Sequence, residues 1–597
     1  MNNEKIENLM NLALDATEEE REKSLNLEVG YDKKEREWEL ILRYDQKAAA
    51  GREELASVIP LSFGYGIIRI PESRVEALAA LPEIEYIEKP KRLFFAVNRG
   101  KAASCFSGLP TVQEPKVGGQ TAGERPLNGS GVISALIDSG VDYFHSDFRN
   151  EDGSTRILSL WDQTVSAGAP PAGFRQGTEF SREEIDRALD TGSRAAGYEI
   201  VPSTDRSGHG TQVLGILAGN GNASVGRFAG GAPESDILVV KMGTPGELDF
   251  PSTTQLMQAV EYVVRKAREY QKPVAINLSF GNVYGSHDGT SLVETYLNAM
   301  AGAWKNVIVA GAGNEGVGKG HISGRLTDEK WMEIELAVSE FESVLNLQLW
   351  KRYGDEFDMA LVHPGGQKII LPPLSSIASD QSKAGVQRYR LGSTELLVYY
   401  GVPSPYSADQ EIYLDFLPVG TYLDSGIWRI ELMPRRLISG EFDMWLPGAE
   451  ALNPGTGFLR PSPEVTLTIP STAEKVITVG AYDSGTMSYA PFSGRGYTRY
   501  PEKIKPELAA PGVSITTTAV GGGYVSATGT SFAAPFVTAA AALLMQWGIS
   551  ASNDPYLYGE KVKAYLMKGA RRLPGFETWP NPQLGWGVLC VRDSLPI

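Results

Sequence analysis

Four residues of this chain carry side chains that together could cut an amide bond: Asp138, His209, Ser531 and Asn314. A serine hydroxyl is a weak nucleophile until a base takes its proton. Imidazole titrates near neutrality, so His209 could accept the Ser531 proton and return it to a leaving amine. A carboxylate such as Asp138 could orient that imidazole and stabilise its cationic form. Acyl transfer also passes through an oxyanion, and the Asn314 amide with the Ser531 backbone N–H would be suitable donors for it.

Taken singly, each residue has a plainer reading. Asp138 closes the run ALID before Ser-Gly, where an acid is commonly a turn former or cap. His209 sits in GHGT; the flanking glycines leave the imidazole uncrowded, but a single histidine is often structural. Ser531 in GTSFAAP opens an apolar helical run, where serine is a usual N-cap, although a helix N-terminus also favours developing negative charge. Asn314 in AGAGNEG is, alone, a turn residue.

The elements around them favour the chemical reading. Residues 132–137, 237–241, 275–279 and 307–310 read as buried strands, and residues 256–270 as a helix between two of them. Continuous apolar strands separated by helices predict a parallel sheet covered on both faces. Each motif then falls at a strand end or helix start, where open α/β sheets gather their sites. The fold class expected is α/β, a doubly wound parallel-sheet core with an N-terminal α+β domain and an inserted all-β domain. The expected divisions are 1–96, a small α+β domain; 97–127, a Gly/Pro/Ser/Thr-rich linker; 128–321, the first part of the core; 322–463, an inserted β-sandwich or jelly roll; and 464–597, the second part of the core. In the first of these, residues 17–23 read as a charged helix, 38–44 and 66–70 as strands, 71–81 as a helix and 84–95 as an extended run, a βαβ-like pattern.

At ALIDSG, DRSGHGT, NLSFG, AGAGNEG and GTSFAAP the chain resembles the subtilase superfamily of serine endopeptidases. The resemblance covers residues 128–320 and 465–595, and the Asp–His–Ser order agrees with it. It implies a catalytic triad of Asp138, His209 and Ser531, Asn314 in the oxyanion hole, and Ser279, Phe280 and Gly281 as the segment that pairs with the substrate backbone. Gly313 would keep the primary pocket open and Phe280 would narrow the pocket beside the substrate strand.

A narrower resemblance is to the Csp-type germination proteases of clostridia. It rests on the long spacings from Asp138 to His209 and from Asn314 to Ser531, on LWDQT and EFSREEI within the first, and on a compact segment preceding the core. It implies that residues 1–96 are a prodomain acting as chaperone and inhibitor, cut from the core by Ser531 near residues 94–98. The protein substrate implied is a zymogen of spore germination, and the location spore-associated. Some Csp relatives have lost triad residues, so a catalytically inactive scaffold or sensor is the alternative; a carbohydrate-binding role for the β-sandwich is a second.

Composition narrows the partners. A net charge of −16 and a pI near 5.1 argue against nucleic acid or an anionic membrane as main partners. The start MNNEKIENLM lacks the pattern of a secretory signal, which predicts synthesis in the cytoplasm. The apolar run 533–545 is shorter than the ~20 residues that span a bilayer and reads as a core helix. Cys105 and Cys590 cannot make a disulfide framework; reduced thiols are expected, with one bridge between them left open. No cofactor is expected. Calcium is unassigned because the aspartates are too scattered, and His145, His287, His321 and His363 show no metal-ligand spacing.

Overall fold

The computed structural model describes residues 3–95, 104–106, 111–113, 124–243, 251–303, 305–328, 330–371, 386–500 and 502–596. The chain forms two compact units. One comprises Leu93–Gly281, Val293–Gly316 and Pro470–Ile597; the other comprises Met1–Arg92, Asn282–Leu292 and Val317–Ile469.

The first unit is α/β. Its strands are β1 (Ile133–Asp138), β2 (Ile157–Asp162), β3 (Asp236–Lys241), β4 (Val274–Leu278), β5 (Asn306–Gly311), β6 (Ile477–Asp483) and β7 (Leu508–Pro511). They pair in parallel in the order β2-β3-β1-β4-β5-β6-β7. Strands β1, β2, β4 and β5 are buried at every position, so they carry continuous apolar runs rather than an alternation. Helix α1 (His209–Ala218), α2 (Thr253–Glu269) and α3 (Thr530–Met545) flank the sheet.

Helix α3 is buried along its whole length, which is why it is apolar on all sides. Its buried Thr538 hydroxyl is satisfied by Asn277 Oδ1 on β4 at 2.9 Å and by the Ala534 carbonyl at 3.1 Å. With the turn that follows, Thr530–Ser550 is long and apolar enough to span a membrane by length and composition, and 89% of its most apolar stretch is buried inside the protein.

In the other unit the N-terminal sheet runs Tyr31–Asp32, Glu37–Tyr44, Tyr65–Pro71, Ile59–Leu61, with Ile84–Glu88 pairing Ile41–Tyr44 beyond Tyr31–Asp32, all antiparallel. The helix expected over 71–81 is only Val75–Ala79 behind a tight turn at Glu72–Arg74, and the extended run stops at Glu88, resuming at Phe94–Phe95. Two antiparallel sheets form a β-sandwich. Leu347, Leu349, Leu414 and Phe416 of one meet Ile334, Leu336, Trp428 and Ile430 of the other in a single core. The opposite face of the first sheet, through Leu397, Tyr399, Tyr413 and Leu417, packs with Leu9, Met10, Trp38 and Leu40. Asp409–Pro418 is therefore buried at all ten positions. The sandwich aromatics Trp350, Tyr399, Tyr400 and Trp428 are core residues. His287 and His321 are packing residues too, stacked on Trp445 with ring centroids 4.3 and 4.7 Å away.

Candidate active site

Asp138 ends β1 and is fully buried, and its Oδ1 accepts from His209 Nδ1 at 2.7 Å and from the Ser139 N–H at 2.7 Å. His209 begins α1, directly after Gly208, whose φ of 77° turns the chain into the helix. The contact needs the backbones very close: a Cβ on Gly210 would lie 2.1 Å from the Gly140 carbonyl oxygen. The second glycine of GHGT is thus required by the approach of α1 to the turn after β1.

Ser531 is the second residue of α3 and is 1% exposed. Pro535 has no N–H to give to the Ser531 carbonyl four residues earlier. The Ser279 hydroxyl donates there instead, at 3.1 Å, and the Ser531 hydroxyl donates to the Ser279 carbonyl at 3.0 Å. This reciprocal pair fixes the first turn of α3 to the end of β4. Asn277 Nδ2 supports Ser279 Oγ at 2.8 Å. The ring of Phe532, next to Ser531, lies 5.4 Å from the His209 imidazole.

Asn314 follows β5. Its Oδ1 accepts from both the N–H and the hydroxyl of Thr530, each at 3.1 Å, while the Gly313 N–H donates to Thr530 Oγ1 at 3.2 Å. With its carbonyl end tied to the residue before Ser531, the amide can offer only its NH₂ end to a ligand. Gly313 takes φ 89°, a conformation that favours glycine.

Phe280–Gly281 is not bare. It pairs antiparallel with Phe94–Phe95, with Phe280 opposite Phe95 and Gly281 opposite Phe94. The Leu93 N–H donates to the Pro251 carbonyl at 2.7 Å, holding the same segment. The chain's own residues thus lie on the edge that the sequence assigned to a substrate backbone. Residues 96–98 of the stretch expected to be cut lie outside the described residues.

One residue of this site had no role at the level of sequence. Asp205, 3% exposed, accepts through Oδ1 from Ser139 Oγ (2.9 Å), Ser207 Oγ (3.1 Å) and the Gly208 N–H (2.9 Å), and through Oδ2 from the Thr211 N–H (2.8 Å) and hydroxyl (2.7 Å). Ser139 Oγ in turn accepts from the Gly210 N–H at 3.0 Å. One carboxylate therefore ties the turn carrying Asp138 to the N-terminus of the helix carrying His209. The only signal was its place at the head of DRSGHGT. Among the described residues no group of three or more His, Cys, Asp or Glu converges as a metal-ligand set.

The profile of the subtilase family matches residues 129–394 and 460–587, and that of the Csp protease B prodomain matches residues 4–91. The solved structure of the Clostridium perfringens CspB protease is 35% identical, with a TM-score of 0.71 over 78% of this chain and 93% of that one. Among curated proteins, the minor extracellular protease Vpr of Bacillus subtilis is 22% identical over 81% of this chain and 53% of its own length. The serine protease AprX of the same organism is 35% identical over 22% of this chain and 32% of its own. The chain spans about half, or less, of the length of these two curated relatives.

Proposed function

The chain belongs to the subtilase family, and we propose that it is a serine endopeptidase in which Asp138, His209 and Ser531 carry acyl transfer. In the proposed reaction the Ser531 hydroxyl turns from the Ser279 carbonyl to His209. The imidazole Nε2 takes its proton as Oγ bonds to the scissile carbonyl carbon. Asp138 holds the opposite nitrogen and stabilises the imidazolium. The Ser531 N–H and the Asn314 NH₂ bind the oxyanion. Collapse breaks the C–N bond and His209 gives the proton to the leaving amine. Water, deprotonated by His209, then adds to the acyl carbon, and the second collapse returns the proton to Ser531 Oγ.

The first substrate in this reading is the chain itself. The observation that carries it is the antiparallel pairing of Phe94–Phe95 with Phe280–Gly281, one residue from the Ser279 carbonyl that holds the Ser531 hydroxyl. Were the strand to continue in that register, its next residue would lie opposite Ser279, and the bond proposed for cleavage is Ala96–Val97. Purified wild-type protein should split, with Val97 as the new N-terminus on sequencing, and Ser531→Ala should remain one chain. Both proteins splitting alike would reject self-cleavage. A fluorophosphonate should label Ser531 of the wild type, whereas no labelling of a folded wild type would leave the inactive scaffold.

A further protein substrate, a germination zymogen in the spore, is proposed on the Csp-type resemblance alone. Cleavage of a purified cortex-hydrolase precursor by wild type and not by Ser531→Ala would support it; an intact precursor would count against it.

A further inference from the structure

The chain has two cysteines, Cys105 and Cys590, and the chemistry above uses neither. Although far apart in sequence, they meet in the α/β unit. The Val591 N–H donates to the Ser104 carbonyl at 3.3 Å, so the peptide group before Cys105 is bonded to the one after Cys590. The Cys105 thiol lies near enough to Cys590 to raise its pKa. Both also act on the same two neighbours, the Arg571 guanidinium and the Tyr482 phenol. The segment around Cys105 is seated on the core: Ser104 is buried, and the Phe106 ring lies 6.1 Å from that of Phe536. Cys590 is buried and Cys105 partly exposed. Both are free thiols in this structure.

We propose that Cys105 and Cys590 are a disulfide-forming pair that fastens the part of the linker just after the proposed cut to the C-terminal end of the α/β unit. Cys105, the accessible thiol, attacks a small-molecule disulfide as its thiolate, forming a mixed disulfide and expelling one thiolate. Cys590 then loses its proton to solvent, attacks the Cys105 sulfur and expels the second thiolate. The protein gives up two electrons, and the oxidant is reduced to two thiols. Burial, and then the Cys105 thiol beside it, raises the Cys590 pKa to about 11. The second step therefore quickens as pH rises.

The consequence for processing rests on the proposed cut at Ala96–Val97. That cut creates a new chain end a few residues before Cys105, and free ends fray unless tied down. A crosslink from Cys105 to Cys590 would hold this end on the core, and closing so long a loop restricts the unfolded chain strongly.

The test is oxidation of the full-length protein with oxidised glutathione, in the wild type and in Ser531→Ala, followed by alkylation and mass mapping without reduction. The expected result is one intramolecular peptide pair joining Cys105 to Cys590, two hydrogens lighter than its reduced parts, in both proteins. The thermal midpoint should rise by several degrees, return on reduction, and not respond in Cys105→Ser. Alkylation of both thiols after oxidation, a lasting glutathione adduct at Cys105, or only intermolecular bridges would overturn the proposal. A crosslinked wild type that is never cut would refute the processing reading and leave the pair standing. A cut wild type with both thiols alkylated would do the reverse.

Discussion

Asp205 gathers donors from Ser139, Ser207, Gly208 and Thr211 in a buried place, and so ties the turn after Asp138 to the start of the helix that carries His209. Asp205→Ala should lower kcat by about 10²-fold with little change in KM, because a misplacement of about 1 Å costs that much. It should also destabilise the α/β unit by ~1–3 kcal/mol for each buried donor left unpaired, measured by chemical denaturation. Asn314→Ala removes the proposed oxyanion donor and should reduce kcat by ~10²–10³-fold, again with KM nearly unchanged. A rise in KM at constant kcat would instead make Asn314 a ground-state binding residue. The types of the four residues named from sequence already suggested the chemistry proposed for them. Asp205 was legible as a letter but not as a device, since its donors come from both sides of a fold that brings residues 139 and 205 together.

At the scale of elements, β1, β3, β4 and β5 could be read to within a residue or two because burial on both faces demands unbroken apolar runs. The helix expected over 71–81 is shorter because a tight turn takes Glu72–Arg74 and Pro82 presses the residue before it away from helical angles. Asp409–Pro418 departs from alternation because each face of its sheet meets a different core. The start of α1 is a more exacting element. Gly210→Ala would force a methyl group onto the Gly140 carbonyl and push His209 away from Asp138. Fluorophosphonate labelling of Ser531 should slow by about 10²-fold in a protein whose circular dichroism is unchanged. An unaltered labelling rate would mean that the turn after β1 yields without cost to the site.

At the scale of the molecule, the N-terminal sheet and the β-sandwich share one unit, and two buried acids lie where they meet. Burial, and then the Glu7 carboxylate, raises the Glu411 pKa to about 8, against the pull of Lys91. Burial raises that of Asp415 to about 7, against the Ser24 hydroxyl that donates to it. Unfolded, both would titrate near ~4. Between about pH 4 and pH 8 the folded unit therefore binds protons that the unfolded chain does not. The contribution of these two acids to its stability is greatest below that window, falls as pH rises through it, and levels off above. The urea midpoint of this unit in the full-length protein should drop from pH 5 to pH 8, and Glu411→Gln with Asp415→Asn should flatten the profile. A wild-type midpoint that does not fall would contradict this. The sequence by itself determined the candidate reacting groups, the parallel core and the presence of an inserted β domain, because side-chain chemistry and hydrophobic period are local properties. Asp138, His209, Ser531 and Asn314 could be named as candidate reacting groups on that basis. Only the tertiary structure decided what holds them. The Asp205 clasp, the Ser279–Ser531 exchange forced by Pro535, the chain's own strand on Phe280–Gly281 and the backbone bond from Val591 to Ser104 are contacts between segments distant in sequence, and no local pattern records such contacts.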